Sequence, residues 1–101
     1  MNEKDFSARL AMLRTKKGVS ARDMSLSMGQ NPGYINNIES GKSYPSLSGI
    51  FYICDYLGIS AAEFFDTGNE DPARLKSITE DLKHLNSKQL DALALFIKEI
   101  V

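Results

Sequence analysis

Four side chains that can form hydrogen bonds lie close together in one short segment of the chain. They are Asn31, Tyr34, Asn36 and Asn37. An asparagine amide presents a donor and an acceptor side by side, which matches the edge of adenine in a DNA major groove, and a tyrosine hydroxyl can donate to a phosphate or a base edge. The chemistry that this segment offers is therefore recognition through hydrogen bonds.

No catalytic or metal-binding constellation competes with it. His84 is the only histidine and Cys54 the only cysteine. We expect His84 on the surface and Cys54 as a buried thiol, because neither has a partner set arranged for catalysis or metal binding. The chain also lacks a phosphate-cradling glycine loop. The sequence predicts no enzyme activity, no cofactor, no metal and no small-molecule ligand.

Two short helices must position the hydrogen-bonding segment. Ser20 is a typical N-cap for the first, which ends at Gly29. The second is expected over residues 31–40, with Asn31 as its cap, Pro32 in the first turn and Gly41 after its end. Two short helices joined by a tight glycine turn are the layout of a helix-turn-helix, in which the second helix enters the major groove.

The second helix has two different faces on a helical wheel. Ile35, Ile38 and Glu39 fall on one side, which is expected to face the core. The opposite side is small and polar, with Gly33, Asn37 and Ser40 at its centre and Tyr34 and Asn36 beside them. A solvated helix face is the alternative interpretation of these polar residues.

The rest of the chain reads as further helices, and almost nothing indicates a strand. Helix one follows Asp5 and ends at Gly18, helix four runs from its cap Ser46 to Gly58, and helix five follows Ser60. The predicted fold class is all-α: a five-helix domain with two additional C-terminal helices. The expected organisation is a DNA-binding domain at 1–66, a linker at 67–71 and a helical hairpin at 72–101, in which Ser87 caps the last helix.

Composition sets broad limits on the protein. The 101 residues are 43% hydrophobic and 25% charged, with a net charge of −1, which is ordinary for a globular domain. Any affinity for nucleic acid must therefore come from where the basic groups lie. The sequence contains neither a membrane-spanning stretch nor a signal-peptide pattern, and we expect a cytoplasmic protein.

Residues 9–65 resemble the Cro and C1 repressor type of helix-turn-helix, also called the XRE family. The matching elements are Arg9-Leu10, Leu13-Arg14, Lys17-Gly18-Val19-Ser20, Met24-Ser25 in place of Leu-Ala, Met28-Gly29, Tyr34-Ile35, Ile38-Glu39-Ser40-Gly41-Lys42, Pro45-Ser46-Leu47, Leu57-Gly58-Ile59-Ser60 and Glu63-Phe64-Phe65.

The resemblance implies that the five-helix domain is lambda-repressor-like, and it implies roles for individual residues. It implies a structural ion pair between Arg14 and Glu39 that fixes the second helix of the motif. The positions that match base-facing residues are Asn31, Gly33, Tyr34, Asn36 and Asn37. Those that match phosphate contacts are Ser20, Arg22, Ser40, Lys42, Ser43 and Tyr44. The implied partner is double-stranded DNA.

The chain departs from the family pattern at three positions where the family contacts DNA. Ala21 stands where the family often has a glutamine that binds phosphate. Pro32 and Gly33 stand where the best-known phage relatives have long amides for base contact. We therefore expect specificity to depend on Tyr34, Asn36 and Asn37, or on DNA shape.

The last helix carries more apolar surface than one neighbour can cover. One stripe consists of Leu90, Leu93, Ala94, Ile97, Ile100 and Val101, and it can pack on the preceding helix. Ala92, Leu95 and Phe96 lie off that stripe, and we expect them to form a homodimer interface. The alternative is that this helix wraps around the N-terminal domain.

Together these features predict a dimeric, DNA-binding transcriptional repressor that reads the major groove with helix 31–40. Two other hypotheses stay open from the sequence: a protein-interaction module that keeps the scaffold without base reading, and the antitoxin of a two-protein pair.

Overall fold

The computed structural model describes residues 1–101 as seven helices without strands. The first five are α1 Glu3–Lys17, α2 Ala21–Ser27, α3 Tyr34–Glu39, α4 Leu47–Leu57 and α5 Ala61–Phe65. They are followed by α6 Pro72–Leu82 and α7 Ser87–Ile100. The prediction of an all-α fold with five helices and two additional ones is confirmed.

The helix α3 begins later than the sequence predicts. The side chain of Asn31 accepts a hydrogen bond from the backbone N–H of Gly33 at 3.1 Å, and the Tyr34 N–H donates to the Asn31 carbonyl at 3.1 Å. Gly33 has φ −93° and ψ 0°, the values of the third residue of a type I turn. Asn-Pro suits the first two positions of that turn as well as a helix start, so residues 31–33 form a turn and the expected boundary at Asn31 is wrong.

Two other helix starts are set by capping boxes. In α1, the Asn2 side chain accepts from the Asp5 N–H and the Asp5 carboxylate accepts from the Asn2 N–H, both at 3.0 Å, so α1 begins at Glu3 rather than after Asp5. Before α7, Asn86 and Gln89 form the same reciprocal pair. Asn86 and not Ser87 is therefore the cap, because only Asn86 has a capping side chain three residues later.

The core lies inside the first five helices. Its fully buried side chains come from every one of them and include Leu10, Met24, Ile35, Ile53 and Phe64. The short α3 packs against α1 and α2, while α4 packs against α1 and α5. The core thus surrounds α3 on its apolar side and leaves the other side free.

A buried arginine ties the segment after α5 to α1. Arg9 is 5% exposed. Its Nε donates to the Phe64 carbonyl at 2.7 Å, and its Nη1 donates to the Asn69 carbonyl at 2.8 Å. Its Nη2 donates to the carbonyls of Glu63 and Asp66, each at 2.9 Å. Four carbonyls thus share one guanidinium, and the expected linker at 67–71 is anchored to the domain.

The two C-terminal helices extend away from this domain. Pro72 is fully buried at the start of α6, but no residue of α7 is buried. The helices α6 and α7 do not pack closely on each other, so the hairpin expected at 72–101 is open in the single chain. The molecule measures 51 × 25 × 23 Å. None of its helices combines the length and apolarity needed to cross a bilayer.

The capping box of α5 contains the one carboxylate with a clearly lowered pKa. The hydrogen bond from the Ser60 backbone N–H to Glu63 Oε1, 2.9 Å long, lowers the pKa of Glu63 from its ordinary 4.5. Because the lowered pKa belongs to the folded state, the carboxylate stabilises the fold above pH 4.5, and this contribution is lost as the pH falls through the folded pKa.

We expect Glu63→Gln to reduce the loss of stability between pH 7 and pH 3.5. Glutamine keeps an acceptor for the Ser60 N–H but does not titrate. The measurement is the urea midpoint at both pH values. Glu70→Gln is the control, because Glu70 is exposed and accepts no hydrogen bond. An equal acid-induced change in the wild-type chain and in Glu63→Gln would contradict the assignment.

Candidate nucleic-acid interface

The helix α3 has only six residues and no side-chain cap of its own. A helix this short is not stable alone, so neighbouring elements must hold it. Ile35 and Ile38 are fully buried on its inner side. The remaining support comes from three polar side chains of α1 and α2, which contact α3 near both of its ends.

The first support is Ser25 of α2, which is fully buried. Its Oγ accepts a hydrogen bond from the Ile35 backbone N–H at 2.9 Å and donates to the Ala21 carbonyl at 2.7 Å. The Ile35 N–H belongs to the first turn of α3, where helical N–H groups have no partner in their own helix. Ser25 therefore caps α3 from a different helix.

The second support is Ser7 of α1, which is 7% exposed. Its Oγ donates to the Ile38 carbonyl at 2.8 Å. The same carbonyl accepts from the Gly41 N–H at 3.1 Å. Ser7 thus satisfies the end of α3 that Ser25 does not reach.

The third support is the ion pair between Arg14 and Glu39, which the structure brings together. Nε of Arg14 donates to Oε2 of Glu39 at 2.7 Å, and Nη2 donates to Oε1 at 2.9 Å. Arg14 Nη1 also donates to the Val19 carbonyl at 2.9 Å. The hydrogen bond to Glu39 raises the pKa of Arg14. The pair fixes α3 to α1 and neutralises the one carboxylate of α3.

We expect Ser25→Ala to lower the free energy of unfolding by about 1–3 kcal/mol, the cost of leaving a buried donor without its partner. Ile35 supplies that donor, and its side chain is fully buried. Urea unfolding followed by circular dichroism measures the change. Ser27→Ala, on the exposed side of α2, is the control and should change stability by less than about 0.5 kcal/mol. Equal effects of the two substitutions would contradict the capping role of Ser25.

Sequence reasoning did not identify Ser7 or Ser25 as supports. Ser25 was recognised only as a replacement for the usual alanine. The available signal was its helical register: Ser25 follows Met24 on the inner side of α2, where a polar side chain needs a partner.

The residues predicted to face bases divide into two groups. Asn31 and Asn36 are exposed, whereas Gly33, Tyr34 and Asn37 are half-buried. The Asn31 side chain is partly engaged, because its oxygen accepts from Gly33. Asn36 is the residue of α3 whose side chain is exposed and makes no hydrogen bond within the chain.

Tyr34 lies over the start of α4. It packs against the edge of the core, and a Cβ added at Gly49 would lie 2.8 Å from the Tyr34 hydroxyl. Gly49 therefore makes room for Tyr34, a role that the sequence alone did not indicate. Tyr34 is thus a half-buried residue between α3 and α4.

Asn37 organises the loop that follows α3. Its carbonyl accepts from the N–H groups of Lys42 at 2.9 Å and Ser43 at 3.1 Å, and from the Ser40 hydroxyl at 3.3 Å. These bonds curl the loop back over the end of α3. Tyr44, which follows, is 60% exposed.

The residues predicted to contact phosphate are all exposed. They are Ser20, Arg22, Ser40, Lys42, Ser43 and Tyr44. Arg22 and Lys42 take part in no ion pair, since the one ion pair of the structure joins Arg14 and Glu39. Ser20 Oγ accepts from the Asp23 N–H at 3.0 Å as the cap of α2, which leaves its own hydroxyl hydrogen free to donate.

The remaining predicted sites lie elsewhere. Ala92, Leu95 and Phe96 are exposed on α7. Cys54 is buried, and burial raises the pKa of its thiol, which disfavours a reactive thiolate. His84 is exposed. The structure contains no group of three or more His, Cys, Asp or Glu side chains placed to hold a metal ion.

Comparison with known proteins agrees with this arrangement. Residues 10–64, more than half of the chain, match the family described as "Helix-turn-helix". No curated protein and no solved structure gave a significant match. With α2 and α3 as the two helices of the motif, the chain belongs to the Cro/C1-type (XRE) helix-turn-helix family and is a DNA-binding regulator of that general kind.

Proposed function

We propose that the protein is a sequence-specific transcriptional repressor that reads the DNA major groove with α3. The observation that supports this proposal is how α3 is held. Its inner side is buried and three neighbouring polar side chains contact it near its ends, while the exposed side chain of Asn36 makes no hydrogen bond within the chain. An α-helix with its side chains is about 10–12 Å in diameter, which fits a major groove about 12 Å wide. In bacteria such a regulator shares the cytoplasm with DNA.

The positive charges before and after α3 in the chain support contacts to the phosphates of the DNA backbone. Arg22 lies before α3 on α2 and Lys42 lies after it, and both are exposed without a carboxylate partner. Phosphate contacts orient a protein on DNA, and contacts to base edges select the sequence. We assign Arg22 and Lys42 to the first task, and Asn36 and Asn37 to the second.

We further propose that the regulator is a homodimer joined through α6 and α7. The chain exposes 6884 Å², whereas a compact monomer of 11.2 kDa exposes about 5,700 Å². The excess of about 1,200 Å² exceeds the roughly 800 Å² that each partner buries in a standard interface. The radius of gyration is 16.7 Å, against about 13 Å for a compact domain of this length.

The excess surface is apolar and regularly spaced. On α7, Leu95 is 63% exposed, Phe96 59% and Ile97 46%. Both C-terminal helices repeat apolar residues at alternating intervals of three and four, which is the pattern of helices that pack side by side. The positions are Leu75, Ile78, Leu82 and Leu85 in and after α6, and Leu90, Leu93, Ile97 and Ile100 in α7. A second copy supplies matching helices.

The experiment that tests the proposed function is selection from a random duplex library. Sequencing of the bound fraction should return a two-fold symmetric motif, because a symmetric dimer places one α3 on each half-site. Folding is checked by circular dichroism on the same sample. A folded protein that enriches no motif at low salt would overturn the proposal.

We expect Asn37→Ala to change the preferred sequence and Lys42→Ala to weaken binding to all sequences alike. Loss of a phosphate contact should also reduce the salt dependence, the slope of log K against log salt, by about one unit. Titrations of both variants against matched and mismatched duplexes measure this difference. Lys76→Ala, an exposed lysine on α6, is the control. Identical effects of Asn37→Ala and Lys42→Ala would contradict the division of roles.

A further inference from the structure

We infer that the segment from Asp66 to Pro72, here called the joint, is a rigid connection that fixes the spacing between the two half-sites the protein accepts. Arg9 is the positioning residue of this joint. The inference rests on the proposed DNA-binding homodimer and adds a second kind of specificity, for half-site separation, to the reading of bases by α3.

The first reason is the way in which Arg9 holds the joint. Four of the five N–H groups of a guanidinium are used, at 2.7–2.9 Å, on carbonyls before, within and at the start of the joint. Two acceptors, Asp66 and Asn69, lie three residues apart along the joint. A guanidinium is planar and its donors have fixed directions, so both carbonyls are held relative to α1.

The second reason is that hydrogen bonds connect the joint to the start of α6. The Asn69 N–H donates to the Asp66 carbonyl at 3.0 Å. The Asp71 N–H donates to Asn69 Oδ1 at 3.3 Å, and the Asp71 side chain in turn caps α6 by accepting from Arg74. Pro72, the first residue of α6, is fully buried.

The third reason is the direction of α6 after Pro72. Leu75 is 54% exposed and Ile78 is 48% exposed, so α6 leaves the surface of the domain within its first turn. Because α6 is fixed only at its start, the orientation of its first turn determines where its far end lies. Its direction, and therefore the position of any second copy bound to α6 and α7, is set by the joint.

The geometry of DNA turns this rigidity into selectivity. A duplex makes one turn in about 10–10.5 base pairs. One added base pair therefore moves a half-site along the axis and rotates it by about 35°. A flexible linker can adjust to both changes. A rigid joint cannot, so the two copies no longer contact both half-sites at once and the gain in affinity from bivalent binding is lost.

The experiment uses the full chain and duplexes that carry the half-sites recovered by the selection above. The distance between half-site centres is varied one base pair at a time over five spacings. We expect one preferred spacing, with affinity at least about tenfold lower one base pair to either side. Sedimentation on the same sample measures the oligomeric state.

A loosened variant tests whether the joint is responsible. Inserting Gly-Ser-Gly-Ser between Gly68 and Asn69 should broaden the accepted spacings and leave the affinity for a single half-site unchanged. Gly68→Ala is the matched control, because an added Cβ makes only an ordinary 3.6 Å contact with Asp66, and it should keep the sharp preference.

The outcomes separate the two proposals. A dimer that binds all five spacings within threefold overturns the rigid joint and leaves the proposed function intact. An insertion variant that folds, dimerises and keeps the sharp preference also overturns the role of the joint. A monomer, or a selection without a motif, overturns the proposed function and this inference together.

Discussion

Replacing Leu95 and Phe96 by aspartate is expected to lower affinity for a palindromic duplex by about 10²–10⁴-fold. This is the range by which linking two binding modules raises affinity without a new contact. Both side chains are more than half exposed in the single chain, so the substitution adds no buried charge to the monomer. The proposed dimer would lose its apolar contact, and each α3 would then bind alone.

Two measurements check this prediction. Sedimentation should show a monomer, and titration with a single half-site should give the wild-type affinity. The matched control changes the charge of α7 by the same amount at polar positions, with Ser87→Asp and Lys88→Gln. A double variant that still dimerises would remove Leu95 and Phe96 from the interface. A monomeric variant with full affinity for the palindrome would show that binding is not bivalent.

Replacing Arg9 by methionine is expected to lower the free energy of unfolding by about 3–5 kcal/mol. A hydrogen bond to a charged group contributes about 1.5–3 kcal/mol, and Arg9 makes four of them. The full sum is not expected, because Asp66 is exposed and its carbonyl can bind water instead. A positive charge next to the final carbonyls of α5 is also favourable for the helix dipole, and methionine removes it.

This loss is large against the 5–15 kcal/mol that stabilises a typical domain. It corresponds to a fall in Tm of at least about 12 °C for a chain of this size. Urea and thermal unfolding followed by circular dichroism measure both quantities. Arg74→Met, at an exposed arginine of α6, is the matched control and should leave stability nearly unchanged. A destabilisation of Arg9→Met below 1 kcal/mol would show that the four bonds are readily replaced by water.

The local part of the fold was predictable from the sequence because its signals lie within a few residues. Ser46 and Ser60 cap α4 and α5, and Gly18 and Gly58 end α1 and α4 in the left-handed conformation that glycine adopts readily. The start of α3 was predicted wrongly because Asn-Pro fits two local structures. The choice between a turn and a helix depends on the hydrogen bond that the Asn31 side chain accepts from Gly33. The spacing of apolar residues gives no information about that bond.

The tertiary contacts of polar side chains were not predictable from pattern alone. Arg9 contacts carbonyls more than fifty residues away, and Ser7 contacts one thirty-one residues away. Backbone carbonyls carry no sequence signature, so the partners of these side chains appear only in the folded chain. The contact between Arg14 and Glu39 was expected only because the family resemblance implied it.

The division of labour within α3 has a consequence for how such a protein can change. The contacts that fix this helix use its buried isoleucines, Tyr34, its backbone groups and Glu39, and none uses the side chain of Asn36. Under the proposed function, substitutions of Asn36 therefore alter the DNA sequence that α3 prefers without altering the contacts that stabilise the fold. The same proposal implies that binding preference and stability vary independently, so that single substitutions at Asn36 give this scaffold new preferred DNA sequences at little cost in stability.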